Sequence, residues 1–271
     1  MTSTDYLFDQ AWERERARLR ALERLYDPIT ARRLDAIGVG PGWQCLEVGG
    51  GSGSIARRLA SMVGERGSVV VTDLDVRFLS ELASATVTVR RHDIRSDPLE
   101  DGAYDLVHAR AVLEHVAERD QVVPRLVRAL RPGGTLLVEE THLGGPATAA
   151  HEQGVVPPEM GPPLTALLEA AAAAFRASGA DPGYAIRLPR ALVAAGLEDV
   201  DAEIASRLIR GASDAAGFYR LSSEQLGPRL VAAGGMPLAT MERLAGFFAD
   251  PDARRPSIAL VSAWGRRPEV R

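Results

Sequence analysis

The spacing of apolar positions changes character twice along the chain. At the start, Phe8, Trp12, Leu19, Leu22 and Tyr26 recur at helical intervals among the charges of "ERERAR", which predicts an amphipathic N-terminal helix. "DPIT", residues 27–30, is expected to interrupt it, with a second short helix, "ITARRLDAIG", closing at Gly38. Short apolar runs and helical periods then alternate. "WQCLEVG", "GSVVVTDLD", "VTVRRHDI", "YDLVHAR" and "TLLVEETH" read as strands. "SIARRLASMVG", "VRFLSELAS" and most of "VLEHVAERDQVVPRLVRALRPGG" read as the helices between them. Strands alternating with helices imply a parallel sheet covered on both faces, and right-handed crossovers make it doubly wound.

After His142 the alternation lapses into a loop-like stretch, followed by a helix over "PLTALLEAAAAAFRAS" and another over "LPRALVAAG". A strand near "VDAEIASRLI", helical periods over residues 212–250 and a last strand in "SIALVSAWG" complete the chain. The expectation is an α/β fold with a mostly parallel, seven-stranded, doubly wound sheet and helical cap insertions. Residues 1–35 form an N-terminal helical cap, and residues 36–145 the ligand-binding core. Residues 146–180 form a helical lid, and residues 181–271 the rest of the sheet, with a helical insertion at about 212–250. The added helices are expected to roof a pocket.

Composition narrows the class. A formal net charge of −4 argues against a dedicated nucleic-acid binder, which carries a basic surplus. No apolar run approaches the roughly 18 residues of a membrane span, and the first residues hold no apolar signal core, so a cytoplasmic protein is expected. The single cysteine, Cys45, reads as a small core residue of the first strand. The chain has no lysine and no asparagine, so every long basic side chain is an arginine, which does not act as a general base at neutral pH.

The chemistry gathers at "CLEVGGGSGSIARRLA", where four glycines fall within five residues directly after a strand. That much conformational freedom implies something approaching the main chain where no side chain fits. In open α/β sheets, ligands sit outside the carboxyl ends of the strands, where this turn lies. Two patterns compete. Gly51, Gly53 and Ala56 satisfy the dinucleotide form G-x-G-x-x-G/A, with Asp73 following Gly53 by 20 residues. Glu47, Gly49, Gly51 and Gly53 satisfy acid-x-G-x-G-x-G. Read this way, the chain resembles the class I S-adenosylmethionine-dependent methyltransferases, and the likeness continues beyond the turn. "VVVTDLD", "RHDI", "YDLVHARAVLEHV" and "ALRPGGTLLVEE" are similar to that family's later motifs and stand in its order over residues 36–142. The closing "SAWGRRP" resembles a bacterial small-molecule subgroup more loosely.

The resemblance implies roles. Asp73 would accept from the ribose hydroxyls, Leu74 would lie beside the adenine, and Asp93 would accept from the adenine amino group, with the Ile94 main chain at the ring edge. Physical chemistry favours this reading of the turn. A carboxylate at Glu47 is a poor neighbour for a pyrophosphate, whereas S-adenosylmethionine brings a sulfonium and an ammonium. Glu47 would favour that cationic end or hold the loop, and the glycines would let the methionyl chain and ribose lie on bare backbone. Arg110, ending the fourth strand, is a candidate contact to the cofactor carboxylate or the acceptor. His142, ending the fifth, is the candidate general base. His151 and Glu152 lie in the loop beyond it. Glu139 and Glu140 are adjacent on a strand and point to opposite faces. No metal-ligand spacing appears.

The expected reaction is methyl transfer to a small organic metabolite, in bacterial secondary metabolism, with S-adenosylhomocysteine as product. The expected partners are that acceptor, no nucleic acid and no membrane, with a homodimer allowed. Three alternatives stay open: the same fold and cofactor turned to a non-methylating reaction such as a cyclisation, a non-catalytic cofactor-binding module, and a nicotinamide oxidoreductase.

Overall fold

The computed structural model describes Phe8, residues 12–143 and residues 152–269. His151 and the loop before it lie outside the described residues. In chain order the elements are α1 (Glu15–Ile37), β1 (Gln44–Val48), α2 (Ser54–Val63), β2 (Ser68–Asp73), β3 (Val87–Arg91), β4 (Tyr104–Arg110), α3 (Arg119–Ala129) and β5 (Leu130–His142). They continue with α4 (Gly161–Ala177), α5 (Leu188–Ala194), β6 (Glu198–Ala205), β7 (Leu208–Arg210), α6 (Asp214–Ala232), α7 (Leu238–Ala249), β8 (Arg254–Pro256) and β9 (Ala259–Arg266). The chain divides into two compact units that interleave in sequence. A sheet unit takes Asp27–Glu140, Tyr184–Ile204 and the chain from Val261 onward; a helical unit takes the chain up to Tyr26, Thr141–Gly183 and Ala205–Leu260.

The sheet unit is built on a seven-stranded sheet in the order β3-β2-β1-β4-β5-β9-β6. β1 pairs in parallel with β2 and β4, β2 with β3, and β4 with β5. The chain runs outward from β1 to β3 and then crosses back to β4 on the other side of β1, so strand order reverses at the β1/β4 pair. Every residue of β4 is buried, as befits a central strand covered on both faces. On one face Cys45, Val69, Val71, Leu106 and Leu137 pack against Ile55, Leu59 and Val63 of α2 and Leu34 of α1. On the other, Leu46, Val48, Val107, Ala109 and Val138 meet Val122, Val123 and Leu126 of α3 and Leu188 and Leu192 of α5. Burial also pushes the Cys45 thiol far above its ordinary range, which keeps it an inert core group.

The helical unit contains α4, α6, α7, the N-terminal half of α1 and the antiparallel pair β7-β8. An aromatic cluster sits inside it. Tyr219 stacks near Phe248 with ring centroids 6.0 Å apart, and Phe247 meets Phe248 edge-on at 5.7 Å.

Two local expectations differ from the structure. Pro28 does not break the first helix, and α1 runs unbroken from Glu15 to Ile37. Proline removes one helical N–H, and carbonyls in that region find side-chain donors: Arg207 Nη1 reaches the Leu25 carbonyl at 3.1 Å and Arg32 Nη1 the Pro28 carbonyl at 3.2 Å. The boundary between units therefore falls inside α1, after Tyr26, rather than at residue 35. "VRFLSELAS" forms two 3₁₀ turns, Val76–Phe78 and Ser80–Leu82, in place of one α-helix. Asp75 caps the first of them by accepting from the Arg77 N–H at 3.1 Å.

Candidate active site

The glycine turn lies at the strand-order reversal, between β1 and α2. Gly49, Gly51 and Gly53 have φ of 72°, 57° and 90°, in the left-handed region that side chains disfavour. The turn is pinned to β2, because the Gly49 and Gly50 N–H groups donate to the Thr72 carbonyl at 2.8 and 3.0 Å. A Cβ on Gly49 would stand 2.3 Å from a Val112 methyl, and one on Gly53 would stand 2.3 Å from Leu82 Cδ1.

Asp73, at the carboxyl end of β2, reaches the same turn. Its Oδ2 accepts from the Gly51 N–H at 3.0 Å and its Oδ1 from the Asp75 N–H at 3.1 Å. Each carboxylate oxygen keeps acceptor capacity beyond these bonds. Burial raises the Asp73 pKa, opposed by the N–H groups of Asp75 and Gly51. The next residue, Leu74, is 42% exposed, a large apolar side chain laid open beside the acid.

Behind the turn runs a polar network that no single motif announces. β-Sheet register sets Glu47 beside His108 and Arg110 beside Glu139, so all four side chains project from one face. His108 Nδ1 is 2.5 Å from Glu47 Oε2, and its Nε2 is 3.3 Å from Glu139 Oε2. Glu139 also accepts from the Thr30 hydroxyl and, at 2.5 Å, from the Ser262 hydroxyl. Arg110 donates through Nη1 to Thr30 Oγ1 at 2.9 Å and through Nη2 to Asp27 Oδ1 at 2.8 Å. Asp27 Oδ1 then accepts from Ser54 Oγ at 3.0 Å, at the first residue of α2. One continuous chain of bonds thus links Glu47, just before the turn, to Ser54, just after it.

Electrostatics fit that arrangement. Burial alone would push the His108 imidazole down, but Glu47 and Glu139 raise it to about 9, so it is an imidazolium at neutral pH. Burial pushes the Glu139 carboxyl up, yet bonds and charges from His108 and Arg110 hold it below its ordinary range. Glu47 is raised by burial, with His108 opposing. Sequence reasoning expected Glu47 to favour the cofactor's cationic end or to hold the loop, and Arg110 to touch the cofactor carboxylate or the acceptor. Both are buried, and their charged ends are engaged with His108 in one case and with Thr30 and Asp27 in the other. Asp27, Thr30 and Ser262 were missed. The available signal was the i, i+3, i+7 stripe of Asp27, Thr30 and Leu34 on one helix, hidden by reading "DPIT" as a break.

The remaining candidates are placed as follows. Asp93 pairs with Arg95, Oδ2 to Nη2 at 2.8 Å, and that guanidinium lowers its pKa. Ile94 is buried, and its carbonyl accepts from Arg125 Nη1 at 2.6 Å. Glu139 and Glu140 do point to opposite faces, and both are fully buried. Glu140 accepts from the N–H groups of Val112, Leu113 and Glu114, capping the 3₁₀ turn after β4. His142 ends β5 and belongs to the helical unit. Burial lowers its pKa, so it is neutral at pH 7, and its Nδ1 has no hydrogen-bond partner among the described residues. Glu152 accepts from Thr165 Oγ1 at 2.9 Å. Among the described residues, no group of three or more His, Cys, Asp or Glu side chains is placed to hold a metal ion. Also among them, no helix is long and apolar enough to cross a membrane.

Comparison with known proteins adds to this geometry. A family model described as a methyltransferase domain matches residues 46–138. The chain is 28% identical over 127 residues to the ubiquinone/menaquinone biosynthesis C-methyltransferase UbiE of Vibrio vulnificus, covering 44% of this chain and 48% of that protein. It thus spans about half the length of the curated relatives it matches. Among solved structures, phosphoethanolamine N-methyltransferase 2 of Haemonchus contortus, bound to phosphomonomethylethanolamine and S-adenosylhomocysteine, superposes with a TM-score of 0.61. Identity there is 17%, over 99% of this chain and 61% of that one. The [4+2]-cyclase SpnF gives a TM-score of 0.55 at 21% identity, over 90% and 81% of the two chains. At such identities the likeness is one of fold.

Proposed function

We propose that the chain is a class I S-adenosylmethionine-dependent methyltransferase that transfers the cofactor's methyl group to a small organic metabolite, a reading the methyltransferase-domain match over residues 46–138 supports. The observation that carries this reading is the bond between the Gly51 N–H and Asp73 Oδ2, which joins a side-chain-free turn to a carboxylate with acceptor capacity to spare. The residues present suit that cofactor. Gly49, Gly51 and Gly53 offer bare backbone to the methionyl chain and ribose. Asp73 accepts from the ribose hydroxyls, and the exposed Leu74 lies beside the adenine. Asp93 and the Ile94 main chain take the edge of the base, with Asp93 exchanging part of its bond to Arg95 for the adenine amino group.

When bound, the cofactor supplies a methyl group already activated on a sulfonium, with a neutral thioether as leaving group. The protein has to hold the acceptor in line and keep water out, and proximity with orientation provides much of the acceleration. Glu47 and Arg110 act from behind the turn, by fixing its two ends. Their network sets three carboxylates, of Asp27, Glu47 and Glu139, against two cations, His108 and Arg110, and so favours a cationic ligand.

Titration calorimetry with S-adenosylhomocysteine tests the reading. Charge-assisted hydrogen bonds are worth about 1.5–3 kcal/mol when buried, so Asp73→Ala should weaken binding roughly tenfold to a hundredfold. Unchanged affinity in that variant removes Asp73 from the site. Turnover is read separately against a panel of small acceptors: accumulation of S-adenosylhomocysteine supports methyl transfer. Acceptor conversion without it favours a cofactor-bound, non-methylating reaction.

A further inference from the structure

The helical unit holds a buried cation with no counter-charge among the described residues. Arg255, in β8, is 3% exposed. Its Nε donates to the Pro256 carbonyl at 2.9 Å, and its guanidinium carbon lies 3.8 Å from the Tyr219 ring centroid. Nη1 and Nη2, with four N–H bonds between them, have no hydrogen-bond partner among the described residues. Burial pushes the Arg255 pKa down, and among the described residues the charges that oppose it belong to the phenols of Tyr219 and Tyr26. Phenols titrate well above neutrality, and burial raises Tyr219 further, so neither supplies a counter-charge at pH 7. Both hydroxyls are already engaged with Ile258: Tyr219 accepts from its N–H at 2.9 Å and Tyr26 donates to its carbonyl at 3.0 Å.

Every other buried charge described above has an ionic or hydrogen-bonding partner for its charged atoms. A desolvated guanidinium without one is strongly disfavoured. Stacking on Tyr219 offsets part of that cost, as a desolvated cation–π contact does. Water would satisfy the four donors without balancing the charge. The unpartnered Nη1–Nη2 edge matches the two-oxygen edge of a carboxylate or a phosphate. We propose that Arg255 is the anchor of an oxyanion site in the helical unit, which takes the carboxylate or phosphate group of a small molecule along that edge. The Tyr219 ring forms one wall and fixes the plane of the fork.

The test is thermal unfolding of the full chain in inorganic phosphate, in acetate and in chloride at matched ionic strength, for wild type, Arg255→Met and Arg255→Lys. At about five times its dissociation constant, a bound anion should raise the wild-type midpoint by roughly 2–4 °C over chloride. Response to phosphate alone assigns the site to phosphate esters, and response to acetate as well extends it to carboxylates. Arg255→Met should lose the anion response while melting no lower than wild type in chloride, because it replaces an unbalanced buried charge with an apolar chain. Arg255→Lys, lacking the fork, should respond more weakly than wild type. Saturable broadening of the phosphate ³¹P resonance by wild type provides a reading that needs no variant. A wild-type midpoint identical in all three salts with an unbroadened ³¹P line overturns the proposal. So does an anion response that survives in Arg255→Met.

Discussion

His108 shows how a single buried side chain ties the site to pH. Its folded pKa of about 9 exceeds the ordinary histidine value of about 6.5 because carboxylates flank both ring nitrogens. A group raised in this way stabilises the fold fully below its unfolded pKa, and that contribution is lost as pH rises through the folded value. Of the groups facing it, Arg110 is raised from an already high value, Glu139 is lowered, and Glu47 is raised by burial with His108 opposing. Wild type should therefore lose urea stability between neutral pH and pH values near 10. His108→Gln should be nearly flat across that window, and less stable at pH 7 by about 3–5 kcal/mol, the usual cost of breaking a buried ion pair. A wild-type midpoint that stays level through that range would mean the imidazole is neutral and the pairing misassigned. The sequence shows Glu47, His108 and Glu139 as polar residues in apolar strands. It does not show that strand register sets them side by side, because register is a property of pairing between distant segments.

At the scale of elements, the glycine turn combines two separable demands, backbone conformation and close packing. Gly38 and Gly49 have φ of 84° and 72°, so alanine at either is strained by the left-handed backbone. They differ in surroundings. A Cβ at Gly38 meets nothing within 4 Å, whereas one at Gly49 stands 2.3 Å from a Val112 methyl. Gly38→Ala should cost about 1–2 kcal/mol by urea denaturation. Gly49→Ala should cost a further 1–3 kcal/mol or so, because Val112 has to move. Equal losses would show that the turn is open at Gly49 rather than packed. The turn itself was readable, since four glycines after an apolar strand have few other uses. The helix through Pro28 was not, because a proline among helical periods reads as a break, and only the folded chain shows α1 continuing through it. Nor were the 3₁₀ turns at residues 76–82, where the short side-chain cap from Asp75 competes with a regular helical start.

For the molecule as a whole, alternation of apolar runs was enough to foresee the strands β1 to β5 in chain order, since each connection between them must return the chain to the same sheet. It was not enough to foresee that two units share the chain in three passes each, because the division is drawn by packing rather than by sequence proximity. That interleaving makes ligand effects informative. The residues proposed to hold the cofactor, from Gly49 to Ile94, all lie in the sheet unit, while Arg255 lies in the helical unit. S-adenosylhomocysteine at a hundred times its dissociation constant should stabilise the fold by about 2.7 kcal/mol, and NADH at the same concentration should not. Amide hydrogen exchange then locates the effect. Exchange should slow at residues 49–54, 73–75 and 93–95 and stay unchanged at residues 254–258, because a ligand protects the amides it covers or steadies. Protection centred on residues 254–258 instead would move the cofactor out of the glycine turn. It would leave Asp73 bonded to Gly51 with no ligand to share.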